Sequence, residues 1–108
     1  MPVEDIDART LGVTFVNRFV LSGAPAEFEE AFARTAAFLA GRDGFLGYTL
    51  LQHVDDPSAY VNIARWRDAP SFHAAVADPA FGPHARELRA IADSEPNLYT
   101  PRLSEGAA

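Results

Sequence analysis

The order in which strand-like and helix-like periodicities follow one another along the chain, β-α-β-β-α-β, predicts an α+β fold of the ferredoxin-like kind. In that fold a four-stranded antiparallel sheet carries its helices on one face. Two further observations support it. Apolar residues recur every second position in some segments and every third or fourth in others, and a chain of 108 residues supports one hydrophobic core rather than two. Residues 1–108 are therefore expected to form a single domain, with 1–11 and 104–108 as flexible tails.

Each element has its own signal. Gly12 to Val20, GVTFVNRFV, alternates Val13, Phe15, Asn17 and Phe19 with Thr14, Val16, Arg18 and Val20, which is a strand. Pro25 suits a first helical turn and Glu27, Glu29 and Glu30 complement the positive end of a helix. Phe28, Phe32, Thr35 and Leu39 then recur at helical spacing, and the helix should end at Gly41, a residue able to turn left-handed. Phe45 to Val54 reads as the second strand and Asp55-Asp56-Pro57-Ser58 as a turn. Ala59 to Trp66 is then the third strand, antiparallel to the second. Asp68 is a candidate N-cap for a short helix marked by Phe72 and Val76 and interrupted by Pro79. Phe81, Leu88 and Ile91 suggest a further helical piece, and Asn97 to Leu103 a closing edge strand.

The third strand is apolar on both sides, with Val61 and Ile63 on one and Tyr60, Ala64 and Trp66 on the other; Val16 and Val20 extend the second apolar face. Helices cover one face of such a sheet, so the other is expected to meet a second copy through a two-fold axis, giving a homodimer and a dimeric α/β barrel.

Composition narrows the function. The formal net charge is −6 and no run of Lys and Arg is dense enough to hold a row of phosphates or an anionic membrane, so neither nucleic acid nor membrane is an expected partner. With no cysteine, disulfides and thiolate chemistry are excluded. The acidic MPVEDIDART start lacks the pattern of a signal peptide, and a cytoplasmic location is expected. No GxGxxG, GxxxxGK[ST] or GxSxG motif is present.

The informative residues are polar ones on faces that should be dry. Asn17 lies between Phe15 and Phe19 on the first strand, and Asn62 shares a side of the third with Tyr60 and Trp66. An unpartnered buried amide costs about 1–3 kcal/mol, so each must be satisfied by protein, water or ligand. Two of them beside the only Trp suggest an apolar pocket with a few orienting hydrogen-bond donors. Taken singly, each has a plainer reading: a lone Asn ties down backbone, and a lone Trp packs the core. His73 and His84 are separated by Pro79 and Pro83 without metal-ligand spacing, so no metal site is expected. His84 belongs either to a pocket edge or to the surface, and His53 to the surface or an interface.

The segments Thr14-Phe15-Val16-Asn17-Arg18-Phe19, Gly44-Phe45-Leu46, Tyr60-Val61-Asn62-Ile63-Ala64-Arg65-Trp66 and Ser94-Glu95-Pro96-Asn97-Leu98-Tyr99 together resemble the antibiotic biosynthesis monooxygenases. Within them the chain looks like the small oxygenases of aromatic polyketide pathways, over about Gly12 to Arg102. The resemblance implies oxidation of an anthrone or hydroquinone to a quinone by molecular oxygen, without metal or flavin. It places catalysis on Asn17, Asn62 and Trp66, with Phe15, Phe19, Tyr60, Phe72 and His84 expected to bind the substrate. Two alternatives stay open within the family and outside it. One is the angucycline ring-opening type, which uses reduced FAD or FMN supplied in trans by a flavin reductase. The other, of a different class, is a polyketide cyclase or a non-catalytic carrier of aromatic ligands. The haem-degrading branch pairs its strand-one Asn with a Trp and a His on the second helix; Phe72-His73-Ala74-Ala75 offers no Trp there, which argues against haem.

Overall fold

The computed structural model describes residues 12–106; the tail expected at 1–11 and the last two residues of the other lie outside the described residues. The elements are β1 (Val13–Leu21), α1 (Pro25–Ala40), β2 (Phe45–Gln52), β3 (Ala59–Trp66), α2 (Ala69–Ala77), a 3-10 turn (Pro79–Phe81), α3 (Gly82–Arg89) and β4 (Ala92–Tyr99). The strands form one antiparallel sheet in the order β2-β3-β1-β4, the ferredoxin-like arrangement.

Helix α1 presents Phe28, Ala31, Phe32, Thr35 and Ala36 to the sheet, an i, i+3, i+4, i+7, i+8 stripe. The helix ends as expected with Gly41 as its C-cap, but Gly41 stays right-handed at φ −83 rather than turning left-handed. The left-handed turn falls three residues later at Gly44, φ 89, where the chain enters β2. A Cβ on Gly44 would stand 2.4 Å from Cβ of Ser71, so the glycine permits both the turn and the close approach to α2. The Arg67 amide donates to the Gly44 carbonyl at 2.7 Å, closing the junction.

Strand β2 stops at Gln52 rather than Val54 because His53 is used in the turn. Its Nδ1 accepts from the Asp55 and Asp56 amides at 3.0 and 3.1 Å, and Val54 is left 94% exposed. Asp68 caps α2 as expected, accepting from the Ser71 amide at 2.8 Å. Asp78 breaks α2 and caps the 3-10 turn through the Ala80 amide at 2.8 Å.

The last strand is the main correction. The segment expected at Asn97 to Leu103 begins at Ala92 and ends at Tyr99, so only three of its residues were placed in it. Its sequence, ADSEPNLY, is almost wholly exposed and contains Pro96, features that hide a strand from periodicity. As an edge strand paired only with β1 it needs a single row of ladder bonds, which tolerates a proline.

The core divides in two. One cluster gathers Phe19, Leu21, Phe28, Phe32, Ala36, Tyr60 and Ala92 under α1. The other gathers Val13, Ala64, Trp66, Phe72 and Ala75 under α2. The opposite sheet face keeps apolar side chains outside, among them Val20, Leu51 and Ile63 at 57%, 46% and 37% exposure.

Candidate active site

Between the two core clusters lie the residues that alternation placed inward at the middle of the sheet. Asn17 of β1 faces Asn62 of β3 directly across the ladder. Each strand thus runs from one apolar cluster, through a carboxamide, to the other: Phe19, Asn17, Phe15, Val13 on β1 and Tyr60, Asn62, Ala64, Trp66 on β3. The Oδ1 atoms of Asn17 and Asn62 are both buried without a hydrogen-bond partner among the described residues. Two orphaned acceptors side by side are costly in a protein of this size, at about 1–3 kcal/mol each.

They border a small cavity of about 80 Å³ whose lining includes Trp66, Phe15, Phe72, Phe45 and Tyr48. A larger cavity of about 430 Å³ shares Phe15, Asn17, Phe19 and Phe72 with it and extends under α2 and α3 towards β4. Its volume lies in the range of small-molecule sites. The walls are aromatic. Phe72 packs on Phe15 at 4.7 Å and edge-on to Trp66 at 5.7 Å, and Phe45 meets Trp66 edge-on at 5.3 Å. Trp66 is 1% exposed and belongs to the core as well as to the cavity wall.

Of the residues singled out from sequence, Asn17, Asn62, Trp66, Phe15, Phe19 and Phe72 come together here. Tyr60 and His84 do not line either cavity. The Tyr60 hydroxyl donates to Glu29 at 2.5 Å and its ring packs on Phe28, so it fastens α1 to β3. Burial and the Glu29 carboxylate push its pKa up to about 12, keeping the hydroxyl protonated. His84 lies against Phe38 of α1, ring centroids 5.4 Å apart.

The cavity also contains polar residues outside the set expected from sequence to form the site: His73 on α2, Arg89 on α3, and Ser94 and Asn97 on β4. His73 sits next to Phe72 on a helix whose apolar spacing was read correctly, but the orientation of that helix over the sheet is a tertiary matter. The residues of β4 escape sequence analysis because the strand, Ala92–Tyr99, is largely exposed and lies earlier in the chain than its expected position. No carboxylate lines either cavity, and no group of three potential metal-ligating His, Cys, Asp or Glu occurs among the described residues.

Comparison with known proteins places this geometry in a family. The model of the antibiotic biosynthesis monooxygenase family matches residues 12–87. The deoxynogalonate monooxygenase of Streptomyces nogalater is 55% identical over 96 residues, covering 87% of this chain and 81% of the relative. The crystal structure of SnoaB, described as a cofactor-independent oxygenase from Streptomyces nogalater, superimposes with a TM-score of 0.83 at 55% identity, covering 85% of this chain and 94% of that one. A mycobilin-producing heme oxygenase of Mycobacterium tuberculosis is 35% identical over 66 residues, covering 61% of this chain and 63% of the relative.

Proposed function

The chain belongs to the antibiotic biosynthesis monooxygenase family, and on that premise we propose that it oxidises an aromatic polyketide intermediate, an anthrone or hydroquinone, to the quinone with molecular oxygen and no cofactor. The observation that carries this reading is the facing pair Asn17 and Asn62, each with its Oδ1 buried and without a hydrogen-bond partner among the described residues, beside an aromatic cavity.

A hydroxylated aromatic ketone satisfies what the pair leaves open. A phenolic O–H of the substrate donates to an orphaned Oδ1, and the amide N–H groups donate to the carbonyl oxygen. Such donors favour the enolate over the ketone, because negative charge develops on that oxygen as the adjacent carbon loses its proton. In a site with little water this is worth about 3 kcal/mol per donor. The Trp66 indole supplies a further N–H at the wall, and Phe15, Phe19 and Phe72 hold the ring system. The enolate is itself an electron donor to oxygen. Addition of oxygen at the carbon gives a peroxide, and loss of water leaves the quinone carbonyl. All the reducing electrons come from the substrate.

The reading includes a homodimer. The outer sheet face leaves Val20, Leu51 and Ile63 exposed, and a second copy across a two-fold axis covers them most economically. Reduced flavin supplied by a reductase is the competing requirement, and the description of SnoaB as cofactor-independent favours the simpler one. Helix α2, APSFHAAVA, has no Trp, which weighs against the haem chemistry of the mycobacterial relative.

The test is turnover of a simple anthrone by Asn17→Ala and Asn62→Ala. Each should lower kcat by about 10²-fold with secondary structure unchanged by circular dichroism. Unimpaired turnover in both would remove the enolate role.

A further inference from the structure

The proposed reaction begins with removal of a proton from carbon, and asparagine is no base. Which group accepts it can be read from the cavity. The two linings together contain three titratable side chains: Tyr48, His73 and Arg89. A guanidinium is a donor with no acceptor capacity, and a phenol O–H is a donor and a weak acceptor rather than a base. Imidazole alone among them presents a neutral nitrogen lone pair near neutrality. The other two histidines are elsewhere, His84 against Phe38 and His53 in the β2–β3 turn with Nδ1 accepting two amides.

We propose that His73, on the wall of the larger cavity, is the catalytic base that takes the substrate's carbon-bound proton and returns it to the peroxide. This rests on the monooxygenase reading above. His73 packs edge-on to Phe72, ring centroids 5.5 Å apart, and Phe72 in turn contacts Phe15 and Trp66, so the imidazole is tied to the aromatic wall on which the substrate lies. The polar groups that share this lining with it are Asn17 from β1, Ser94 and Asn97 from β4, and Arg89 from α3, the last being the one charged residue there. No carboxylate competes for the proton there.

The steps balance. Imidazole nitrogen takes one proton from the reacting CH₂, leaving the enolate and an imidazolium. The enolate passes one electron to oxygen, and the resulting radical and superoxide combine into a C–O bond, giving a peroxide anion. The imidazolium protonates that anion, restoring the neutral ring. Loss of the second C–H proton with cleavage of the O–O bond expels water and forms the carbonyl.

The experiment compares the purified full chain with His73→Gln and His73→Ala, following oxygen uptake with anthrone as substrate across pH 5 to 9. Both variants should fold, since the side chain is exposed. Wild-type kcat should rise with pH and level off. His73→Gln should lose that limb and fall by about 10²-fold at pH 7 with KM little changed, and added imidazole should restore part of the rate to His73→Ala. If His73→Gln keeps the wild-type kcat, or loses rate while keeping the limb without imidazole rescue in His73→Ala, the base is another group and the proposal fails alone. Wild-type protein that takes up no oxygen overturns the monooxygenase reading and this proposal with it.

Discussion

The two carboxamides at the centre of the sheet set stability against use. An Oδ1 buried without a partner weakens the fold, so replacing Asn62 by a nonpolar residue of similar reach should relieve the protein while disabling the site. Asn62→Leu is expected to raise the unfolding free energy by about 1–3 kcal/mol, read from urea denaturation, and to abolish turnover. A loss of stability would mean the amide is satisfied in the folded state. Tyr60 makes the opposite case, a polar atom that is fully used. Its pKa, raised to about 12 by burial and the Glu29 contact, exceeds the unfolded value near 10.0. The hydroxyl therefore contributes stability that is complete below about pH 10 and is lost as pH rises towards 12. Tyr60→Phe should flatten that alkaline decline in melting temperature. An unchanged decline would place its cause in other groups.

At the scale of elements, what was legible from sequence depended on whether burial wrote a period into the chain. Strands β1 and β3 are buried on the helical face and apolar on the other, so their alternation is plain, and the inward positions of Asn17 and Asn62 follow directly. Helix α1 shows its stripe for the same reason. Strand β4 has almost nothing to bury, so ADSEPNLY carries no alternation and was displaced towards the C-terminus. With it went Ser94 and Asn97, and the place of His73 was equally hidden because it depends on how α2 crosses the sheet. The end of α1 shows a local version of the same limit. The left-handed turn does need a glycine, but Gly44 rather than Gly41 makes it, where the β2 entry packs closely on Ser71. Gly44→Ala should accordingly destabilise the protein by more than the ~1 kcal/mol of a simple glycine effect, whereas Gly41→Ala should be close to neutral in thermal denaturation. Equal effects would show that the α2 contact is soft.

The described residues span 45 × 36 × 19 Å, and the shortest dimension fits two layers, one sheet and one set of helices. A two-layer protein with an apolar outer face is what the sequence anticipated from the double-sided β3. A second copy on that face would account for Ile63 and Leu51, and Ile63→Lys should then convert a dimer into a monomer of half the mass by light scattering; a wild-type monomer would contradict it. The inner face has a different division of labour. Two core clusters carry the packing, and Asn17 and Asn62 lie between them beside the aromatic walls of the two cavities.

In the proposed reaction the substrate's own electrons reduce oxygen. This is tested most directly by incubating flavin-free, metal-stripped protein with anthrone under ¹⁸O₂ and analysing the quinone by mass spectrometry. The quinone should contain one labelled oxygen in the new carbonyl, with one molecule of oxygen consumed per quinone formed and no dependence on added flavin or metal. Product that forms only with reduced flavin, or an unlabelled product formed equally without oxygen, would contradict it.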